Sequence, residues 1–267
     1  MSADDSVFTG VVAKFYETYL VPLIFEPYAL PAVRLLTAPD ISEVLEIAAG
    51  TGVVTRVLAR ELATGTAIVA TDLNQAMLDQ AAAIGTARPV QWRQADAQQL
   101  PFPDACFDAV VCQFGAMFFP DRTGAYAEAR RVLRPGGRFV FSTWDRIQVN
   151  EFADTVIAAM ASIFPDDPPR FLARTPHGYH EISTITADVL RAGFGEPRID
   201  TVTERSRAES AHIPALAYCH GTPLRDEIEA RGDLDMATAA AERALTARFG
   251  TDAVDGMIRA HLVSVRR

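Results

Sequence analysis

The stretch LEIAAGTGVV, Leu45–Val54, decides how the rest of the chain is read. A short apolar run, EVLEIA, enters a glycine turn and leaves it as VVTRVLARELA. There Val54, Val57, Leu58 and Leu62 fall on one helical face. A strand passing through glycines into a helix is the opening unit of an open α/β sheet. Its turn lets backbone approach a ligand, with a helix N-terminus alongside. The turn departs from a dinucleotide loop in two ways. Counted as G-x-G-x-x-G/A from Ala48, its first slot is alanine and its last is Val53. In addition, Glu46 stands two residues before the loop, where a carboxylate would repel a pyrophosphate and attract a cation.

From this turn the strand–helix rhythm continues. TAIVATD reads as a second strand, and NQAMLDQAAAIG as a helix between Asn74 and Gly85. PVQWRQAD, FDAVVCQF and RFVFSTW read as further strands, the last preceded by a helix, DRTGAYAEARRVLRPGG, closed by its Pro-Gly-Gly. Strands alternating with helices at this spacing imply parallel pairing through right-handed crossovers. Their nearly continuous apolar character implies helices on both faces of the sheet. Upstream, residues 8–36 read as two helices divided near Val21-Pro22. After Asp145 the rhythm changes: EFADTVIAAMASIF reads as a helix, PDDPPRFLARTPHGYHE as a loop, and STITADVLRAGF as a helix ending at Gly193. RIDTVTERS reads as a strand, residues 208–260 as several helical pieces, and HLVSVRR as a short final strand.

Composition narrows the class. With 25 Lys and Arg against 34 Asp and Glu, the net charge of −9 argues against nucleic acid or an anionic membrane as partner. Cys106, Cys112 and Cys219 are odd in number and form no CxxC pair, so neither a disulfide framework nor a metal site is expected. The opening MSADDSVFTG lacks the basic and apolar regions of a signal peptide, and no uncharged run approaches a membrane span. A cytoplasmic protein without a membrane span, monomeric or homodimeric, is the expectation.

Four stretches in this order give the chain a family resemblance: LEIAAGTG, ATDLNQAML, ADAQQLPFPDACFDAVVCQF and ARRVLRPGGRFVFSTW. Together they resemble the class I S-adenosylmethionine (SAM)-dependent methyltransferases, nearest to small-molecule enzymes of the ubiquinone and menaquinone pathways. The resemblance covers residues 44–144 strongly and the rest loosely. It implies an α/β fold, a doubly wound and mostly parallel Rossmann-like sheet with an N-terminal helical lid and a helical cap. The lid would be residues 1–40, the SAM-binding core 41–145, the cap insertion 146–182, and the end of the sheet with a helical elaboration 183–267, all in one structural domain.

The resemblance also implies site residues. Glu46, Ala48, Gly50 and Gly52 belong to the cofactor loop, with Ala48 replacing the family's first glycine, a change taken as tolerated. Asp72, with Leu73 beside it, would accept the ribose hydroxyls; otherwise it is a helix cap. Met77 would wall the adenine or simply fill a helix face. Asp96 and the Ala97 backbone would bind the adenine edge, and Gln113 and Phe114 would line the methionine half. Tyr16 and Tyr19 would close over SAM or pack as core. The product would be S-adenosylhomocysteine.

Because SAM carries its own reactivity, no universal catalytic residue is implied. His177 and His180 in TPHGYHE are the candidate bases, against a plain role bonded to backbone; His220, Asp145 and Glu151 are further polar groups near the site. The aromatic density of FYETYLVPLIFEPYAL, FGAMFFP and ASIFP fits a small apolar or aromatic acceptor for O- or C-methylation, or else a packed core. Two alternatives stay open at this point: a nicotinamide-dependent oxidoreductase and a non-catalytic SAM-binding module.

Overall fold

The computed structural model describes residues 10–36 and 41–267. The reading of residues 1–9 as lacking a signal sequence, the start of the first helix at residue 8 and the boundary at residue 40 lie outside the described residues. The chain begins with a helical run made of α1 (Gly10–Phe15), a π-helical stretch (Tyr16–Phe25) and α2 (Glu26–Leu36). One sheet of seven strands follows, in the order β3-β2-β1-β4-β5-β7-β6. Its strands are β1 (Glu43–Ile47), β2 (Ala67–Asp72), β3 (Gln91–Gln94), β4 (Phe107–Gln113), β5 (Leu133–Trp144), β6 (Arg198–Ala208) and β7 (Val254–Arg266). The first five strands are parallel. Between them run α3 (Val53–Glu61), α4 (Gln75–Ile84) and α5 (Arg122–Val132). Strand order reverses between β1 and β4, which opens a crevice at their carboxyl ends.

Alternation along the strands explains the two layers of core. Val44, Val111 and Val140 face α2 and α3, whereas Leu45, Cys112 and Phe141 point to the opposite cluster. That second face carries α6 (Glu151–Ile163), α7 (Phe171–Arg174), α8 (Ile182–Arg191), α9 (His212–His220), α10 (Leu224–Glu229) and α11 (Leu234–Phe249) around it. The doubly wound, mostly parallel architecture expected from the strand–helix rhythm is therefore present.

Three elements differ from the reading of the sequence. The last strand spans 13 residues and runs antiparallel between β5 and β6, so the stretch from Val254 to Ala260 is extended and not helical. Its period-two burial was masked because Gly256 and Ala260 are weak apolar markers on the inward face. Gly256 is required there, since a Cβ would lie 2.7 Å from the Phe152 ring. β5 starts at Leu133, ahead of the Pro-Gly-Gly read as closing the preceding helix, and a register shift between Phe107 and Ala109 of β4 absorbs the irregularity.

The third difference bears on function. The helical run does not break at Val21-Pro22 but widens into π turns. Pro22 has no N–H for the carbonyl four residues earlier, and its ring crowds that carbonyl. The wider turn removes both conflicts, and the Glu26 N–H bonds the Val21 carbonyl. Tyr16 and Phe25, nine residues apart, would occupy opposite faces of an α-helix. Here they share a face and their rings stack with centroids 4.9 Å apart. The run Val12–Leu36 is long and apolar enough, by length and composition, to cross a membrane, and half of its most apolar window is buried inside the protein. Lys14, Glu17, Glu26 and Arg34 interrupt it, which is why no uncharged run of that length appears in the sequence.

Candidate active site

A cavity of about 570 Å³ opens at the carboxyl ends of β1, β2, β4 and β5 and is roofed by the π stretch. Small-molecule sites fall between about 300 and 1,000 Å³. The glycine turn forms part of its floor. Ala48, Gly50 and Gly52 all have positive φ, at 54°, 56° and 85°. Ala48 therefore stands in the left-handed region, where a methyl group is disfavoured, and it is accommodated by the next strand's turn. A Cβ added at Gly115 would lie only 2.5 Å from the Ala48 Cβ and 2.8 Å from the Cys112 sulfur. Gly115→Ala is expected to destabilise the fold by roughly 1–3 kcal/mol, with part recovered by adding Ala48→Gly. Urea unfolding of the two single variants and the double would check this; additive effects would contradict it.

Gly50 faces the cavity beneath Tyr16, whose hydroxyl would lie 3.7 Å from a Cβ placed there. Gly52 serves a different end. It starts α3 in left-handed geometry, and a Cβ would meet the Trp92 ring at 3.0 Å and the Ala81 methyl at 3.2 Å. It permits close packing beside the loop and does not line the cavity.

Asp72 ends β2, is buried, and lines the cavity. Its Oδ2 accepts from the Gly50 N–H at 2.8 Å, and its Oδ1 from the Asn74 N–H at 2.8 Å. Burial raises its pKa while these backbone donors lower it. Each carboxylate oxygen retains further acceptor capacity, so two adjacent hydroxyls can be received by a group whose orientation is already fixed. Asn74 stands at the start of α4 without a side-chain cap bond.

Glu46 is buried as well, but its carboxylate turns into the protein and does not line the cavity. It accepts from the Thr55 hydroxyl at 2.5 Å. Burial pushes its pKa up to about 8, opposed by Thr55 and Arg56. This folded value exceeds the 4.5 of an ordinary glutamate. The associated stability is therefore complete below about 4.5 and is lost as pH rises from there through about 8. Glu46→Gln, which keeps a partner for Thr55 and cannot ionise, should match the parent at pH ~4. It should exceed the parent by roughly 1–3 kcal/mol at pH ~9. Denaturant unfolding at the two pH values measures this; no gain at the alkaline value would contradict it.

At one end the cavity is walled by Leu73, Met77, Asp96 and Ala97. The Asp96 carboxylate is exposed and accepts from the Gln98 N–H at 2.9 Å. Toward the middle, Gln113 donates from Nε2 to the Phe25 carbonyl at 3.1 Å, leaving its buried Oε1 without a partner. Phe114 adopts a positive φ of 52°, a strained conformation for a bulky residue. Its ring stacks on Trp144 with centroids 3.9 Å apart and planes 6° from parallel. Tyr16 lines the cavity; Tyr19 does not, and stacks on Phe15 instead.

The opposite end is apolar, with Phe25, Phe118, Phe119, Trp144, Phe171 and Leu172 in its wall. His177 lines this end and is buried. Its Nδ1 lies 2.8 Å from the Asp145 carbonyl, which can only accept, so Nδ1 carries the proton and Nε2 offers a lone pair. Burial holds its pKa down to about 4, leaving the ring neutral near pH ~7. His180 lies outside the cavity wall: its Nδ1 bonds the His177 carbonyl at 2.8 Å, and Nε2 sits 3.1 Å from Glu181. His220 bonds Thr238 at 2.9 Å.

Asp145 and Glu151 also turn away from the cavity. Asp145 is held by Arg259 at 2.6 Å, and Glu151 accepts from the Met257 N–H at 2.6 Å. Reading the sequence did not single out Phe25 individually, nor Trp144, Asn150, Tyr218, Thr222, Pro223 or Ile258, all of which line the cavity. Trp144, as the residue ending an apolar strand, could have been found by the same rule that found Gln113 and Phe114. The other distant ones carry no local signal.

Comparison with known proteins places this geometry. Residues 45–141 match a family model described as a methyltransferase domain. The ubiquinone/menaquinone biosynthesis C-methyltransferase UbiE of Saccharophagus degradans is 31% identical over 174 residues, covering 60% of this chain and 70% of the relative. UbiE of Teredinibacter turnerae is 32% identical over 173 residues, with the same coverage. Among solved structures, the Haemonchus contortus phosphoethanolamine N-methyltransferase 2 in complex with SAM is 15% identical. It aligns with a TM-score of 0.59 over 97% of this chain and 57% of that one. The cofactor is SAM, and the chain belongs to the class I SAM-dependent methyltransferases, as a relative of the UbiE enzymes.

Proposed function

We propose that the chain methylates a small, largely apolar aromatic metabolite on carbon or oxygen, in the apolar end of the cavity, with SAM occupying the polar end. A hydroxylated ring of the quinone-precursor type suits the site, in keeping with the ubiquinone and menaquinone C-methylation for which the UbiE relatives are named. The observation that carries this reading is the division of one cavity into two chemistries. Asp72, Asp96 and Gln113 come from the carboxyl ends of β2, β3 and β4, whereas the apolar Phe118, Phe119, Phe171 and Leu172, with the neutral His177 imidazole, come from the segments after β4 and β5.

The residues present fit the cofactor. The orphaned Gln113 Oε1 is an acceptor for an ammonium, and the fixed Asp72 carboxylate suits a pair of ribose hydroxyls. Asp96 and the Ala97 N–H suit an adenine edge, with Met77 and Leu73 as apolar neighbours. When bound, SAM supplies an electrophilic methyl on a positive sulfur with a neutral leaving group. The chain's part is to hold the acceptor in line, exclude water and receive a proton. Phe25, Phe114 and Trp144 orient a flat ring and keep the space dry. Nε2 of His177 accepts the acceptor's proton as the methyl arrives. The helices before the sheet and the segment 146–182 act as lid and cap over the core. A cytoplasmic setting, and a monomer or homodimer, suit this reading.

The test is a screen of phenols, quinols and amines with methyl-labelled SAM. Label in an aromatic product, on carbon or oxygen, is expected. Label only in amines, or in none, would contradict the assignment.

A further inference from the structure

We propose that the hydroxyl of Tyr218 is a specificity-determining donor, holding an oxygen of the methyl acceptor at the apolar end of the cavity. The inference rests on the functional reading above and deepens it. It comes from α9, which lies outside the span matched to the methyltransferase domain.

The buried face of α9 consists mostly of small side chains: Pro214, Ala215, Ala217 and Cys219. They let the helix lie close against the π stretch. A Cβ at Gly221 would already lie 3.0 Å from the Leu20 side chain. On this compact face Tyr218 alone is long, and it lines the cavity together with Thr222 and Pro223. Only 4% of the residue is exposed. Its backbone carbonyl is taken by the Thr222 hydroxyl at 2.7 Å, but no protein group among the described residues bonds its phenol oxygen. Burial alone acts on the phenol and raises its pKa, so it stays protonated and able to donate. A buried tyrosine hydroxyl ordinarily has a partner. One left open toward the cavity, among largely apolar neighbours, is suited to a ligand oxygen.

His177 and Tyr218 then have complementary roles. The imidazole offers only a lone pair and selects a group that donates, whereas the phenol selects a group that accepts. A site that hydrogen-bonds an oxygen discriminates strongly against the analogue lacking it, because its own polar group would be left unpaired.

The experiment compares two probes of nearly equal shape, acetonaphthone and isopropylnaphthalene, which differ in a carbonyl that can accept but not donate. Each is titrated into the full chain in the presence of S-adenosylhomocysteine and followed by quenching of tryptophan fluorescence. Parent protein should prefer the ketone roughly 10-fold. Tyr218→Phe should bring that ratio to about one while leaving S-adenosylhomocysteine affinity unchanged. His177→Leu, which brings no hydrogen-bond donor, should leave the ratio intact, which separates a direct contact from general damage to the cavity. Tyr218→Phe removes only a hydroxyl without a protein partner, and an unchanged melting temperature would verify its fold. A parent protein without ketone preference, or a preference that survives in Tyr218→Phe, would overturn the proposal. Failure of every acceptor to be methylated would refute the functional reading while the probe ratio could still be measured.

Discussion

Asp72→Ala is expected to weaken SAM binding about 100- to 1,000-fold with little loss of fold. Two hydrogen bonds from ribose hydroxyls to the carboxyl group account for this magnitude at about 1.5–2 kcal/mol each, the lower part of the range for bonds to a charged group. The carboxylate also receives the Gly50 and Asn74 N–H groups, so the alanine variant loosens the loop that faces the cofactor. Asp72→Asn separates these contributions. It retains one acceptor oxygen and the shape of the side chain, and should lose roughly 10-fold. Calorimetric titration with S-adenosylhomocysteine measures both. Equal affinity in parent and alanine variant would remove Asp72 from the cofactor site.

The second large effect concerns turnover. His177→Gln should lower kcat by roughly 100-fold with cofactor affinity unchanged. General base catalysis contributes about 10²–10⁴-fold, and the low end applies because burial makes this imidazole a weak base with a pKa near 4. The ring is neutral throughout the physiological range, so the part of the pH profile it governs should be flat above about pH 6. Turnover should fall only as the pH drops toward 4, when Nε2 is protonated. The imidazole gains positive charge as the sulfonium loses its own, so the exchange conserves charge within the cavity. His180→Gln should have little effect, since both its ring nitrogens face a backbone carbonyl or Glu181. A full rate in His177→Gln would mean that the acceptor needs no base or uses another.

The sheet was legible in the sequence because its signals are local. The glycine turn after β1, the Asp72 that ends β2 and the apolar runs of β4 and β5 each sit in a few consecutive residues. What stayed hidden depends on longer range. Ala48 holds a positive φ, and the room for its methyl depends on Gly115, 67 positions later. Phe25 reaches the cavity only because the helix widens around Pro22, a change of periodicity that an α-helical template cannot register. Of the two histidines in one short loop, only His177 lines the cavity, and the choice is made by the Asp145 carbonyl that holds its ring. Tyr218 was invisible for a related reason. Nothing in YCHGTPLR distinguishes a tyrosine that faces a cavity from one that fills a core.

In the proposed mechanism one cavity holds the cofactor beside Asp72 and the methyl acceptor among the aromatic rings. A crystal structure with S-adenosylhomocysteine bound tests it most directly. The mechanism predicts both ribose hydroxyls within hydrogen-bond distance of Asp72 and the sulfur directed at the space between Phe114, Trp144 and His177. A ribose held elsewhere, or a sulfur turned toward bulk solvent and away from those three rings, would contradict it.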